Sequence, residues 1–594
     1  MKGHEMVGCR LARASAALTL VCLAGTALAD LPPALDRAPK GAAITIAIRD
    51  IQKARANVER MLKTFDEGAA DGLSMLDAVT EADGFNKNGS AAVVMLGDPA
   101  KEDFGDENVA LILPIADWGK FVEGMGGDKG KKQTSLPNLD GGVMARDLGG
   151  GYAVVGMEEI LGGFKDAAGQ IAEHKALLGA TGVSVADSAD VVAIVNVQMF
   201  KTQIDQGIEE GKNQMDMMAG MMAAANPGAE EQFAALFKGL EDAARNAQSL
   251  VVGMSAVGGN ALAMDLAVHF KDGTESGKRF THSGGLSSSV LGAMPAMPFL
   301  TAFAVDTAHP FIRGLMAEGA KAQAKNPNPL AGMNAANPAM LEKLDAVGFF
   351  LGSNPALLST GLFAKALTFQ QGKDPAGLLA EQRKTMQGMK GEQEGIKVDS
   401  TFTPDAVEIA GQKVDRLKAT IEIDPDSPMA QAQQFMTLFT GTSGDVNIMS
   451  TATKMGVLTA MSANTELMTK AIEAQNGKGN LATNDDFKAV AAALPENRAF
   501  EGYLGVKGLA DTIGGVLQLF GQPMPVEIKD ELPPIGLGVT ATTGGLRARL
   551  VLPEKVMSTF AEVAKKMNEM QEGEPMEGED QPEAQPGERR KPRL

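Results

Sequence analysis

The stretch AITIAIRDIQKARANVERMLKTF, residues 43–65, decides the fold class. Ile44, Ile46 and Ile48 alternate with smaller or polar residues, which is the two-residue period of a half-buried strand. From Ile51 the period changes. Ile51, Ala54, Val58, Met61, Leu62 and Phe65 keep the spacing of one helical face. Asp50 stands between the two, where a carboxylate accepts the free amide hydrogens of a helix's first turn.

The same succession of strand and helix recurs. Residues 191–197 precede a helical pattern over 200–222, residues 299–305 one over 311–322, and residues 500–506 one over 509–520. Asp306 is expected to repeat the capping by Asp50. Hairpins alternate with these units. Residues 250–255 and 261–270 flank Gly258-Gly259-Asn260, and 535–542 and 546–552 flank Gly544-Gly545, where glycine supplies the positive φ of a tight turn. Residues 347–351 and 357–369 are expected to form a looser copy around Ser353-Asn354-Pro355, and a helix is expected over 554–567.

This order predicts an α+β protein of two duplicated halves, each an antiparallel sheet with hairpins, covered by helices on one face. The halves are expected at 30–285 and 286–568. Residues 281–292, with Ser287-Ser288-Ser289, would link them, and an insertion near 370–444 would lengthen the second. Residues 569–594 are rich in Glu, Pro, Gln and Gly and end on Arg589-Arg590-Lys591-Pro592-Arg593. A disordered acidic tail with a basic end is expected there.

Residues 1–29 have the form of a secretory signal. Lys2, Arg10 and Arg13 precede an apolar run, and Ala27-Leu28-Ala29 gives a small-x-small cleavage pattern before Asp30. Val21 before Cys22 is too large for a lipidation motif. Both cysteines, Cys9 and Cys22, fall in this segment, so the mature chain would carry none, as suits an oxidising compartment. The expected location is the periplasm or the exterior, with no membrane span after signal removal.

With 55 basic against 74 acidic residues, the formal charge is −19, which repels nucleic acid and anionic lipid. One tryptophan and two tyrosines are few for an extended sugar site or an aromatic protein interface.

Reactive chemistry is sparse. Met215, Met217, Met218, Met221 and Met222 form a cluster of soft ligands of the kind that holds Cu(I). Met215, Met218 and Met222 share a stripe with Ile204 and Ile208, which is core chemistry. Met217 and Met221 are the second, more exposed pair and the candidate metal ligands. His174, His269, His282 and His309 show no HExxH and no pair at helical ligand spacing. His269 is expected at a strand rim and His309 in an ordinary turn. Residues 273–279 fall one short of a phosphate loop, and Arg279 stands where a hydroxyl belongs. Gly285-Leu286-Ser287-Ser288-Ser289 lacks the last glycine of a nucleophile elbow. Asp98, Glu102, Asp103, Asp106 and Glu107 share one loop without EF-hand spacing, as expected of a solvated connection.

The phrase LPENRAFEGYLGVKGLADTIGGVL, residues 494–517, together with the signal and the serial units, resembles large exported bacterial proteins grouped as domains of unknown function. The resemblance implies a chain of strand–helix modules and no activity, cofactor or site residue. The expectation is therefore an exported, non-catalytic binding or scaffold protein that accepts an apolar ligand or partner segment, with no catalytic residue and no cofactor assigned. The alternatives are a secreted hydrolase whose site assembles only in the fold, and Cu(I) binding by the methionines.

Overall fold

The computed structural model describes residues 31–65, 82–101, 104–139, 142–164, 169–223, 229–280, 284–286, 289–314, 316–317, 338–393, 396–424, 441, 445–519, 528, 531–542 and 544–572. The calls on residues 1–29, His282, the serine run 287–289 for the most part, and the tail beyond 572 lie outside them.

The fold is α+β with one large antiparallel sheet. Its strands are β1 (Ile44–Ile48), β2 (Ala91–Met95), β3 (Val109–Pro114), β4 (Gln133–Ser135), β5 (Met144–Gly149), β6 (Tyr152–Gly156), β7 (Val191–Asn196), β8 (Ala247–Val257), β9 (Ala261–Phe270) and β10 (Phe299–Asp306). They continue as β11 (Ala346–Gly352), β12 (Ala366–Gln371), β13 (Gly391–Gln393), β14 (Ile396–Ile409), β15 (Gln412–Ile423), β16 (Asp445–Ala452), β17 (Gly456–Ala460), β18 (Arg498–Leu504), β19 (Ile535–Thr542) and β20 (Gly545–Pro553). The main helices are α1 (Ile51–Phe65), α2 (Trp118–Gly124), α3 (Ile171–Ser188), α4 (Lys201–Ala223), α5 (Ala229–Asn246), α6 (Pro375–Gln387), α7 (Thr465–Gln475), α8 (Asp485–Ala493), α9 (Val506–Leu519) and α10 (Glu554–Glu572).

Every pairing is antiparallel, and the ladder is continuous through the junction of β9 with β20. Outward from that junction, one arm runs β9, β8, β7, β1, β2, β3, β6, β5, β4. The other runs β20, β19, β18, β10, β11, β12, β17, β16, β15 and then adds the β14 and β13 strands.

On one face, glycines and alanines at several positions let helices approach the backbone closely, while Phe350, Phe369 and Tyr503 on the same face are buried in the core. A Cβ added to Gly253 of β8 would stand 2.5 Å from Val185 of α3, and one added to Gly536 of β19 would stand 2.5 Å from Val490 of α8. Ser249 on this face donates to the Leu177 carbonyl of α3 at 2.8 Å. The opposite face meets α6, whose Gln382 donates to Thr459 at 2.9 Å. Met557 of α10 and Ala54 of α1 pack there against Ile48 and Val191. Helices therefore touch both faces, which corrects the expectation of a single covered face. Alternating patterns inside the strands reveal two apolar parities but not which one a helix will take.

Three further expectations are adjusted. Residues 357–365 are two short helical turns, 357–360 and 362–365, so only β12 completes the hairpin with β11. Asp50 accepts from Lys53 N at 2.9 Å and caps α1, whereas Asp306 is the last residue of β10 and accepts from Ala308 N at 2.9 Å. It is His309 Nδ1 that accepts from Phe311 N, in the first turn of the helical residues beginning at 310. In the expected linker, Leu286 N donates to Arg498 O, and Val290 and Leu291 are fully buried in the core, so its described part is packed against β18 and β11. Among the described residues, no helix is long and apolar enough to cross a membrane.

Candidate functional site: the apolar face of the sheet

Cross-strand partners in an antiparallel ladder share a face. Following the register on the face that meets α6 gives a row with no polar member. From the C-terminal arm it runs Val347, Val305, Phe500, Val539, Ala548 and Leu266. It continues through Val252, Ala193, Ile46, Val93, Leu111 and Val155. A parallel row, two residues along each strand, holds Phe349, Phe303, Gly502, Leu537, Leu550 and Met264, then Met254, Val191 and Ile48. Phe303 stacks on Phe349 at 5.1 Å and lies 6.3 Å from Phe500.

Antiparallel sheets with one solvated face usually place polar residues on it. Here most members of the first row are half-buried yet apolar. At the centre Leu266 is 45% and Leu537 36% exposed. The ends are closed. In the N-terminal arm, Phe121 and Val122 of α2 pack with Val155 and Leu111. In the C-terminal arm, Leu378 of α6 packs with Val347 and Val457, and the rows turn polar at Thr368 and Gln370. Further large apolar side chains stand exposed on helices: Leu240 of α5, Ile513 of α9, and Phe560 and Met567 of α10.

Three clusters of charged groups in the sheet pair internally. Asp265 of β9, fully buried at its side chain, accepts from Arg547 Nε at 2.7 Å and from Arg549 Nε and Nη2 at 2.9 and 2.7 Å. Arg547 also reaches Ser184 of α3 at 2.9 Å, and Arg549 the Ala493 carbonyl at 3.2 Å. Asp415 binds Arg383 through Nε at 2.7 Å and Nη2 at 2.8 Å. On β18, burial pushes the Glu501 carboxyl up from its ordinary value and raises the Tyr503 phenol as well. Arg498 Nε lies 2.9 Å from Glu501, and Arg498 Nη1 donates to the carbonyls of Ala491 and Pro495. These contacts hold strands and helices in place.

An open cleft of about 220 Å³ lies between the start of β10, the N-terminal turns of α8 and α9, and residues 531–534. Of its polar lining, Asn484 caps α8 through Phe487 N at 2.8 Å, and Lys507 pairs with Asp511 at 3.0 Å, while Asp486 and Glu531 also line it.

The histidines are dispersed. His269, expected at a rim, is only 8% exposed, because its ring fills a break in α3 at Gly179, where φ is +60°. Burial lowers the pKa of His174, whose Nε2 donates to the Ala38 carbonyl at 3.0 Å. Met217 and Met221 fall on α4, but their side chains lie outside the described residues, as do Glu102 and Asp103 of the acidic loop. Among the described residues, no three of His, Cys, Asp and Glu gather in a metal-binding geometry.

The apolar rows were not singled out from the sequence, although a signal was present. In 250–254, 262–268 and 546–552 the large apolar residues keep one parity while Gly, Ala, Ser or a charge takes much of the other. No protein-family model, curated protein or solved structure matches the chain.

Proposed function

We propose that the protein is an exported, non-catalytic binding protein that accepts an apolar ligand on the α6-bearing face of a sheet built by duplication. The observation that carries this reading is the unbroken apolar row from Val347 to Val155, with its most exposed member, Leu266, at the β9–β20 junction. Water against such a surface is costly, at roughly 25 cal/mol for each Å² left uncovered, so an apolar occupant gains what the helices leave unburied. The duplication draws support from the two arms, which add strands in the same succession on either side of that junction. Export draws support from residues 1–29 and from a mature chain without cysteine.

A naphthylamine dye that fluoresces only in apolar surroundings tests the reading. Saturable binding by the purified protein is expected. Leu266→Asp combined with Leu537→Asp should weaken it about tenfold or more, since each replaces a half-exposed contact by a charge. Absence of saturable binding, with a normal far-ultraviolet circular dichroism spectrum, refutes it.

A further inference from the structure

We infer that the cleft between residues 37–41 and the start of α3 is a second binding site, and that it takes a small amino acid as a zwitterion. The cleft measures about 160 Å³, and its lining includes Arg37, Lys40, Gly41, Gly163, Gln170 and Glu173. It shares no residue with the apolar rows of the sheet, so it is independent of the reading above.

Arg37 supplies a fixed cation. Its Nη1 donates to the Leu148 carbonyl at 3.1 Å, and the guanidinium lies 5.9 Å from the centre of the Tyr152 ring. Gly150, at φ +62°, passes so close that a Cβ there would stand 2.3 Å from Nη2. These contacts hold the group in place, yet no carboxylate among the described residues pairs with it, and its Nε, cut off from solvent, has no acceptor. The edge formed by Nε and Nη2 is the one that Arg549 gives to Asp265, at 2.9 and 2.7 Å, and Arg383 to Asp415, at 2.7 and 2.8 Å. A planar fork of this kind suits a carboxylate. At Arg37 the chain does not provide one.

Glu173 supplies the opposite sign. Its Oε1 lies 3.3 Å from Lys40 Nζ, while Oε2 is cut off from solvent and has no donor. A buried donor and a buried carboxylate oxygen, both unpartnered and both from residues of one cleft, carry a desolvation penalty that a ligand with matching groups removes. A simple carboxylate would satisfy Arg37 and be repelled by Glu173, and an amine would do the reverse. A molecule that carries both charges satisfies the two together. The side chains of Lys40 and Glu173 are 68% and 42% exposed, so their own pair is weak and gives way at little cost. Size sets the class of ligand. A cavity of about 150 Å³ is enough for benzene, and L-alanine has the same number of non-hydrogen atoms.

Isothermal titration calorimetry of the purified full chain with L-alanine tests the site. Propionate, which is alanine without its ammonium, and ethylamine, which is alanine without its carboxylate, serve as parallel arms. Alanine should saturate near one per chain, and each single-charge arm should bind about tenfold or more weakly. Glu173→Gln should remove the advantage of alanine over propionate while propionate binds as well as before or better. Arg37→Lys keeps the charge but loses the fork, and should weaken alanine and propionate alike by about tenfold. Both variants should keep the parent's circular dichroism spectrum and its dye binding. The inference is overturned if alanine does not saturate the folded protein, which would leave the unpartnered groups to water. It is also overturned if propionate binds as tightly as alanine, if Glu173→Gln leaves the ratio of the two unchanged, or if Arg37→Lys has no effect. Failure of the dye alongside saturable alanine binding would remove the apolar reading alone.

Discussion

Replacing Asp265 by alanine should destabilise the protein by about 3–5 kcal/mol, the usual cost of stranding a buried charge by deleting its partner. The magnitude follows from what is left behind. The Asp265 side chain is fully buried, and the two guanidinium groups it holds are 13% and 12% exposed. After the substitution Arg547 keeps Ser184, and Arg549 keeps the Ala493 carbonyl. These neutral partners place the expected loss toward the lower end of the range. Urea unfolding followed by far-ultraviolet circular dichroism measures it, with purity of the folded baseline checked by gel filtration. The companion experiment exchanges the whole cluster for apolar residues of similar volume, Asp265→Leu with Arg547→Leu and Arg549→Met. That variant should lie within about 1 kcal/mol of the parent, because no charge is then left unpaired. In the double substitution Asp265→Ala with Arg549→Ala, the second change should cost less than it does alone. A loss below about 1 kcal/mol for Asp265→Ala would refute the claim that this carboxylate secures the junction of β9 and β20.

Gly179→Ala should cost at least about 2 kcal/mol, since its φ is +60° and the new Cβ would stand 2.3 Å from His269 Nδ1. Adding His269→Ala should recover part of the loss, and thermal melts of the four-member cycle decide it. Burial lowers the His174 pKa in the folded protein, so below the ordinary value near 6.5 the unfolded chain binds the extra proton. Stability should therefore be fully present above that value and decline as pH falls from it toward the lowered folded pKa. His174→Gln should flatten that part of a stability-against-pH curve. Asp415→Asn should cost about 2 kcal/mol in urea unfolding by weakening the two bonds to Arg383, while dye binding at the β9–β20 junction stays unchanged.

The chain alone determined the local pieces. Alternating isoleucines specified β1, the spacing from Ile51 specified α1, and Gly258-Gly259 and Gly544 marked hairpins that formed at β8–β9 and β19–β20. These follow from backbone geometry within a few residues, which sequence expresses directly. Tertiary structure alone decided that Asp265 lies opposite Arg549, that His269 enters a break in α3, and that α3 and α6 take opposite faces. A two-residue period says which side chains share a face, but it carries no mark of the neighbouring strand. Since both parities of these strands carry apolar residues, only packing could choose which helices each face received and where large side chains stayed half in water.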